Sequence, residues 1–271
     1  MSISDVVMPA RMSAEELGEL LVAVRCLEGG GFASRATQVI GRQVGALGRA
    51  LPAPARRLVA SATERALRVA LRFALSTINK ESPARAARGA HKAAAAAAGA
   101  LGGAFGIAAL AIELPISTTI LLRSIAEIAR EQGEDLRQAD AALACLEVFA
   151  LGGDASDEVA IEGGYFAVRS ALARSVSESV RFVAHRSLNE TAPAMVRLVS
   201  QIAARFGLVV SEKFAVQAAP VLGAVGGAAL NVAFAEHFQT VARGHFIVRR
   251  LERIHGEEAV EFEYRRLRNQ L

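Results

Sequence analysis

The residues of this 271-residue chain that could do chemistry are few and scattered along it. No two of its five histidines stand four positions apart, which is the spacing of the HExxH zinc motif. The stretch DASDE at 154–158 places oxygens at alternate positions like the start of a calcium-binding loop. However, Val159 and Tyr165 stand where that loop needs glycine and glutamate, so we expect helix capping there instead. The sequence therefore predicts no catalytic constellation, no metal site and no cofactor.

One carboxylate, Glu113, has an unusual setting because it follows a run of twenty uncharged residues. A carboxylate between apolar segments should be paired, protonated or at a water boundary. In one interpretation Pro115 ends or kinks the helix and leaves Glu113 in water or beside an arginine. In the other, Glu113 and Arg123 form a polar site between helices. Glu236 and His237 follow a second glycine-rich segment in the same way, and they complete this candidate polar site.

Two glycine-rich helices are expected to position these residues. The run 93–112 is long enough to span a bilayer, but its five strongly apolar side chains are too few to make it a stable span alone. The second segment, 214–235, is also uncharged and is interrupted by Pro220. Both carry glycines in GxxxG spacing, which lets another backbone approach, so we predict that the two helices pack closely near the centre of the protein. The packing glycines would be Gly99, Gly102, Gly103, Gly106, Gly223, Gly226 and Gly227.

A basic amphipathic helix is predicted directly after Pro54. Arg57, Arg65, Arg68 and Arg72 fall on one face at about 100° per residue, opposite an apolar face. Such a stripe can face the phosphates of an anionic membrane, or it can be an ordinary solvated surface. No aromatic interleaving and no helix-turn-helix pattern accompanies it, so we expect no nucleic-acid partner.

The remaining pattern is helical almost throughout. Ser13 and Glu16 have capping-box spacing at the start of the first helix, and Gly133 is expected to end a later one. The run 136–151 predicts the next helix, which Gly152 and Gly153 would end. We therefore predict an all-α protein, one domain of packed helices with the two glycine- and alanine-rich helices at its centre. Its parts would be N-terminal helices at 1–80 packed on or flanking the core, a helical core at 81–256 and a charged helix end at 257–271.

The composition indicates where in the cell the protein is located. Hydrophobic residues make up 52% of the chain, but only 5% of its residues are aromatic and Trp is absent, which argues against a stable multi-span membrane protein. The two cysteines form no CxxC pattern, and the N-terminus does not resemble a secretory signal. A cytoplasmic location is expected.

Three segments in order carry a family resemblance: GAHKAAAAAAGALGGAFG, ELPISTTILLRSIAEIAREQGED and LACLEVFALGG. Together they resemble the core of the bacterial EcsC family over about residues 80–256. That family is named for a protein encoded beside an ABC transporter, and its biochemical role is not established. The resemblance places Glu113, Leu114, Pro115, Arg123 and Gly152–Gly153 in recurrent segments, with no chemistry assigned to them.

These observations favour a non-enzymatic helical protein that associates peripherally with the inner face of the cytoplasmic membrane or with a membrane transport complex. The expected partners are an anionic membrane surface or a membrane protein complex. Two alternatives stay open: a hydrolase-like enzyme whose site is assembled from distant residues, and a soluble helical scaffold without membrane contact. The sequence does not specify an oligomeric state.

Overall fold

The computed structural model describes residues 12–32, 36, 51–78, 110–153, 158–184, 191–217 and 223–271. These ranges are helical almost throughout and contain no strand, so the predicted all-α bundle is confirmed. Their helices are α1 (Ala14–Glu28), α2 (Ala53–Thr77), α3 (Leu110–Glu131), α4 (Ala139–Leu151), α5 (Glu158–Ala184), α6 (Pro193–Gln217), α7 (Gly223–His255) and α8 (Glu257–Arg268).

Several helix ends lie where the local sequence predicts them. Ser13 and Glu16 form the capping box at the start of α1, with the Glu16 backbone N–H donating to Ser13 Oγ at 3.2 Å. Gly133 follows α3 with φ +81°, a backbone conformation that favours glycine. The helix predicted for 136–151 begins slightly later, at Ala139.

Pro115 does not end a helix. It lies inside α3, which continues from Leu110 to Glu131, so the interpretation in which Glu113 stands at a helix end made by Pro115 is wrong. Proline has the φ that a helix needs, and inside a helix it removes one backbone hydrogen bond without always ending the helix. Two hydroxyls bond to carbonyls beside it: Ser117 Oγ donates to Leu114 O at 3.1 Å, and Thr119 Oγ1 donates to Pro115 O at 2.8 Å.

The helix enclosed by the others is the short α4. It packs against α2, α3, α5, α6 and α7, and every residue from Ala141 to Ala150 is buried. Its alanines and its single cysteine are small side chains, so several helices can approach it closely. The first of the two glycine-rich segments lies almost wholly outside the described residues, so its predicted packing on the second is not part of this description.

Helix α7, with 33 residues, joins two groups of buried side chains. Its N-terminal half packs with α3 and α6 around Phe206, Phe234 and Phe238. Its C-terminal half packs with α1 and α8, and contributes Val248 and Leu251 to the second group. Helix α7 therefore connects the polar side chains that lie near its two halves.

Candidate functional site

Glu113 lies in a buried polar site between α3, α6 and α7. It is 6% exposed, and its Oε1 accepts a hydrogen bond from Lys213 Nζ at 3.1 Å and from Asn231 Nδ2 at 3.5 Å. Its other oxygen, Oε2, is buried and has no hydrogen-bond partner among the described residues. The Glu113 carboxylate therefore pairs with the Lys213 ammonium in the interior between helices, and it does not lie at a boundary with water.

Lys213 is the cation of this site and is only 1% exposed. Its Nζ lies 4.9 Å from the centroid of the Phe234 ring, a distance at which an ammonium is attracted to the ring face. Burial lowers the pKa of Lys213, while the adjacent Glu113 carboxylate opposes that shift. The arrangement can hold a buried ion pair that fixes the relative position of α3 and α6.

The other residues of the predicted polar site lie elsewhere. Arg123 is exposed, and its guanidinium lies 5.0 Å from the centroid of the Phe73 ring on α2. Glu236 is exposed on α7. His237 is buried, and its Nε2 donates to the Gly152 carbonyl at 2.7 Å. The structure therefore brings Glu113 together with Lys213 and Asn231, and it does not bring it together with these three.

His237 helps to close the C-terminal end of α4. The Nε of Arg205 donates to the Ala150 carbonyl at 3.0 Å, beside the hydrogen bond from His237 to Gly152. These donors satisfy carbonyls that a helix end leaves without intrahelical partners. Gly152 is required by packing, because a Cβ there would lie 2.4 Å from the Phe238 ring. The Gly152–Gly153 segment therefore has a structural explanation.

Most of the predicted packing glycines cannot be placed in a contact. Gly99, Gly102, Gly103 and Gly106 lie outside the described residues, Gly223 and Gly226 lie at the start of α7, and Gly227 is buried. A close glycine contact that was not predicted lies further along the same helix. A Cβ on Gly244 would lie 2.7 Å from Leu27 Cγ and 2.9 Å from Cys26 Cβ, where α1 crosses α7.

The four arginines of the basic stripe, Arg57, Arg65, Arg68 and Arg72, are all exposed on α2. Arg68 forms an ion pair with Glu64 at 2.5 Å, one helical turn away. The opposite face of α2 is buried against α3, α4 and α6. The stripe is therefore a continuous basic surface on a helix whose other side is fixed in the core.

A cleft of about 770 Å³ lies between α4, α5 and the C-terminal half of α7, and it was not predicted from the sequence. Helix α4 packs closely against both α5 and α7, whereas α5 and α7 are not packed closely on each other. Val176 and Val180 make part of the α5 wall apolar. The charged residues that line the cleft are Glu134, Asp135, Asp140, Glu147, Arg169, Arg181, Arg249, Glu252, Arg253 and Glu257.

Ion pairs connect the walls of this cleft. Arg169 Nη1 on α5 lies 2.5 Å from Glu252 Oε1 on α7. Arg249 lies 2.9 Å from Glu134 through Nε and 2.6 Å from Asp140 through Nη2. Four of the six carboxylates that line the cleft therefore have a guanidinium partner, because Asp135 also pairs with Arg137.

Of the two remaining carboxylates that line the cleft, Glu257 is exposed and Glu147 is buried. It is 6% exposed, lines the cleft from the buried helix α4, and forms no hydrogen bond or ion pair with any described residue. Burial raises the pKa of Glu147 to about 7, although the nearby Arg169 and Arg249 oppose the shift. A single carboxylate in the run LACLEVFALGG was the available signal, but nothing in the sequence shows that the run is buried on all sides or that a cleft reaches it.

A second buried network lies where α1, α5 and α8 meet. A hydrogen bond joins the Tyr165 hydroxyl and His245 Nδ1 at 2.8 Å. Glu28 accepts from the Tyr264 hydroxyl at 2.9 Å and from the Tyr165 backbone N–H at 3.2 Å. Burial lowers the pKa of His245 well below its usual value, so this imidazole is neutral and the network is structural.

The described residues contain no cluster of metal ligands and one helix that could cross a membrane. In the part of the chain that the structure describes, no group of three or more His, Cys, Asp or Glu residues could hold a metal ion. One described helix, α6, is long and apolar enough to cross a membrane by length and composition. The core helix of a soluble protein meets the same criterion, and α6 carries the buried Lys213.

The model of the EcsC protein family matches residues 33–251. The chain belongs to the EcsC protein family. The resemblance drawn from three sequence segments is therefore confirmed, and the match extends further towards the N-terminus than the expected start near residue 80. No curated protein and no solved structure matches the chain. The basic stripe, the Glu113–Lys213 pair and Glu147 all lie within the matched EcsC region.

Proposed function

We propose that this EcsC protein is a non-enzymatic helical protein that associates peripherally with the anionic inner face of the cytoplasmic membrane. The observation that carries this proposal is the basic stripe, in which Arg57, Arg65, Arg68 and Arg72 are exposed on one face of α2. The buried opposite face holds that helix in place. A pre-formed row of guanidinium groups is suited to lipid phosphates, which arginine contacts through paired hydrogen bonds.

Exposed apolar side chains on the neighbouring helix support the same role. Ile112 and Ile116 on α3 are 70% and 51% exposed and stand one helical turn apart. Helix α3 packs directly on α2, so the isoleucines belong to a neighbour of the basic helix. Apolar side chains that enter the headgroup region add to the electrostatic attraction of a basic helix.

Vesicle sedimentation tests this proposal. The full chain should bind vesicles that contain phosphatidylglycerol, bind neutral phosphatidylcholine vesicles far more weakly, and dissociate as salt is raised. The triple variant Arg57→Gln/Arg65→Gln/Arg72→Gln should bind anionic vesicles on the order of 100-fold more weakly, at about 1 kcal/mol for each arginine near the surface.

A matched control separates the stripe from net charge. Arg137, Arg174 and Arg266 are exposed outside α2, and their combined change to Gln removes the same charge. The control variant should bind anionic vesicles nearly as the unaltered chain does. Equal losses in both triple variants would mean that net charge alone governs binding, and equal binding to neutral and anionic vesicles would exclude the electrostatic role.

Cell fractionation distinguishes the lipid surface from a membrane transport complex. A chain that fails to bind anionic vesicles, yet is recovered with membranes and released by salt, would be held by a membrane protein. Protein found only in the soluble fraction would favour a scaffold without membrane contact. Release only by detergent would indicate an integral topology.

A further inference from the structure

The cleft between α4, α5 and α7 has the size of a ligand site and a strongly charged lining. Its volume of about 770 Å³ lies in the range typical of small-molecule pockets. Ala173 and Val176 give one wall apolar surface, while α7 presents charged groups on the other. Glu147 is buried in this cleft, as are the side chains of Glu134 and Glu252, whereas Asp140 and Arg253 are exposed.

Glu147 has no hydrogen-bond or ion-pair partner among the described residues, and its carboxylate faces the open cleft, where a ligand can reach it. The wall charges around it are matched: Arg169 pairs with Glu252, and Arg249 pairs with Glu134 and Asp140. A carboxylate that is buried without a hydrogen bond is unfavourable, and an apolar side chain at the same position would avoid that cost. A ligand group that completes the site would offset it.

The charge of the lining indicates the sign of that ligand group. Six carboxylates and four guanidinium groups line the cleft, so the lining has an excess of negative charge. The two arginines nearest Glu147, Arg169 and Arg249, already donate to carboxylates. An anionic ligand would be repelled by this excess negative charge, whereas a cationic ligand would pair with Glu147.

We propose that the cleft binds a small organic cation whose protonated amine pairs with Glu147 and whose apolar part lies along Ala173 and Val176. The proposal is independent of the basic stripe on α2, because the two sites share no residue. A Glu147→Gln variant should therefore bind anionic vesicles as the unaltered chain does, so failure of either proposal leaves the other standing.

Binding of the cation should depend on pH through Glu147. The groups that face it are Asp140 on its own helix, Arg169 on α5, and Arg249 and Glu252 on α7. Burial raises the pKa of Glu147 to about 7, so lowering the pH through neutrality protonates the carboxyl that the amine needs. The affinity should fall roughly 30-fold from about pH 8 to about pH 5.5 in the unaltered chain and stay level in Glu147→Gln.

Isothermal titration of the full chain with n-hexylammonium, hexanoate and 1-hexanol provides the test. At about pH 8, n-hexylammonium should bind at least about tenfold more tightly than either of the other probes. Glu147→Gln should weaken n-hexylammonium binding at least about tenfold. Glu258→Gln removes the same charge at an exposed position of α8 that does not line the cleft, and it should change the affinity by less than about threefold.

Four results would overturn the assignment. These are an unchanged affinity in Glu147→Gln, an equal loss in Glu258→Gln, tighter binding of hexanoate, or no n-hexylammonium binding up to about 10 mM. Helical content measured by circular dichroism verifies that both variants are folded. The pH profile adds a readout that a purely structural role of Glu147 would not produce.

Discussion

Glu147 makes the folded chain less stable as the pH rises from about 4.5 to about 7. Burial raises the pKa of Glu147 from 4.5 to about 7, so the folded state holds a proton that the unfolded state releases. The resulting stabilisation is complete below about pH 4.5 and is lost as the pH rises to about 7, a change of roughly 3 kcal/mol. Glu147→Gln should therefore be more stable than the unaltered chain by about 1–3 kcal/mol at pH 8, with a smaller difference at pH 5.

Urea unfolding at several pH values measures this effect. Glu258→Gln is the matched control, since Glu258 is exposed on α8 and its change to Gln should shift stability little at either pH. If Glu147→Gln were less stable than the unaltered chain at pH 8, the carboxylate would have a favourable partner in the folded state.

The Glu113–Lys213 pair should behave differently, because each buried charge is the other's partner. Lys213→Met leaves the Glu113 carboxylate without its cation, and Glu113→Gln leaves the ammonium without its anion. Each single change should destabilise the fold by about 3–5 kcal/mol, and the double variant by clearly less than the sum. Chemical denaturation of the two single variants and the double variant measures the coupling.

An exposed ion pair provides the comparison. Arg174 pairs with Glu178 on the surface of α5, where the arginine side chain is 91% exposed. Arg174→Met should cost only about 0–1 kcal/mol. Additive losses at Glu113 and Lys213 would show that the two side chains act independently.

The sequence identified Glu113 but neither its partner nor the second buried carboxylate. Glu113 stood out because a long uncharged run precedes it, and such a run is visible without a structure. Lys213 is 100 residues away, so only the packing of α3, α6 and α7 brings it to Glu113. Glu147 stands in a short apolar run that could have been half-exposed, and its isolation becomes visible only once five helices surround α4.

Helix ends were predictable where the signal is local. Ser13 with Glu16 and Gly133 act through backbone groups within one turn, so the sequence alone determines them. Pro115 was misjudged because the effect of proline depends on its position in the helix. The contact at Gly244 was not predictable, because its closeness depends on where α1 crosses α7 and not on a glycine repeat.

Gly244→Ala should disrupt the crossing of α1 and α7. The added methyl would lie 2.7 Å from Leu27 Cγ and 3.0 Å from the Ala23 carbonyl oxygen, so the two helices must move apart. A loss of about 1–3 kcal/mol in the free energy of unfolding is expected in thermal or urea unfolding.

Gly207→Ala on α6 is the control, because its nearest contact would be Thr63 Cγ2 at 4.0 Å. It should be neutral or stabilise by up to about 1 kcal/mol through helix propensity. Equal effects of the two changes would show that the crossing is loose.

At the level of the whole molecule, the class of fold was predictable and the arrangement was not. Helical periodicity and glycine ends recur along the chain, which is enough to predict an all-α bundle. Which helix lies at the centre depends on contacts between distant segments. Helix α4 is more apolar than its neighbours, but its sequence alone does not show that five helices surround it. The sequence predicted a segment 1–80 packed on or flanking a core at 81–256. In the described structure α1 packs on α7, and α2 packs on α3 and α6, so helices of the first segment cover helices of the second.

A chain limited to residues 81–256 should therefore fail to fold as a cooperative unit. It would lack the buried face of α2, which includes Leu67 and Leu71, and the α1 side chains Leu20 and Val24 that pack in the second core group. The helices that remain would expose the apolar faces these residues cover, which favours aggregation or a loosely packed state. Circular dichroism and near-ultraviolet spectra during thermal unfolding compare this fragment with the full chain. The full chain should unfold in one transition because α7 links both core groups.

Restoring α2, in a chain of residues 51–256, should recover part of the lost stability. A sharp transition with native-like spectra for 81–256 alone would instead make the first 80 residues an added layer on an independent core.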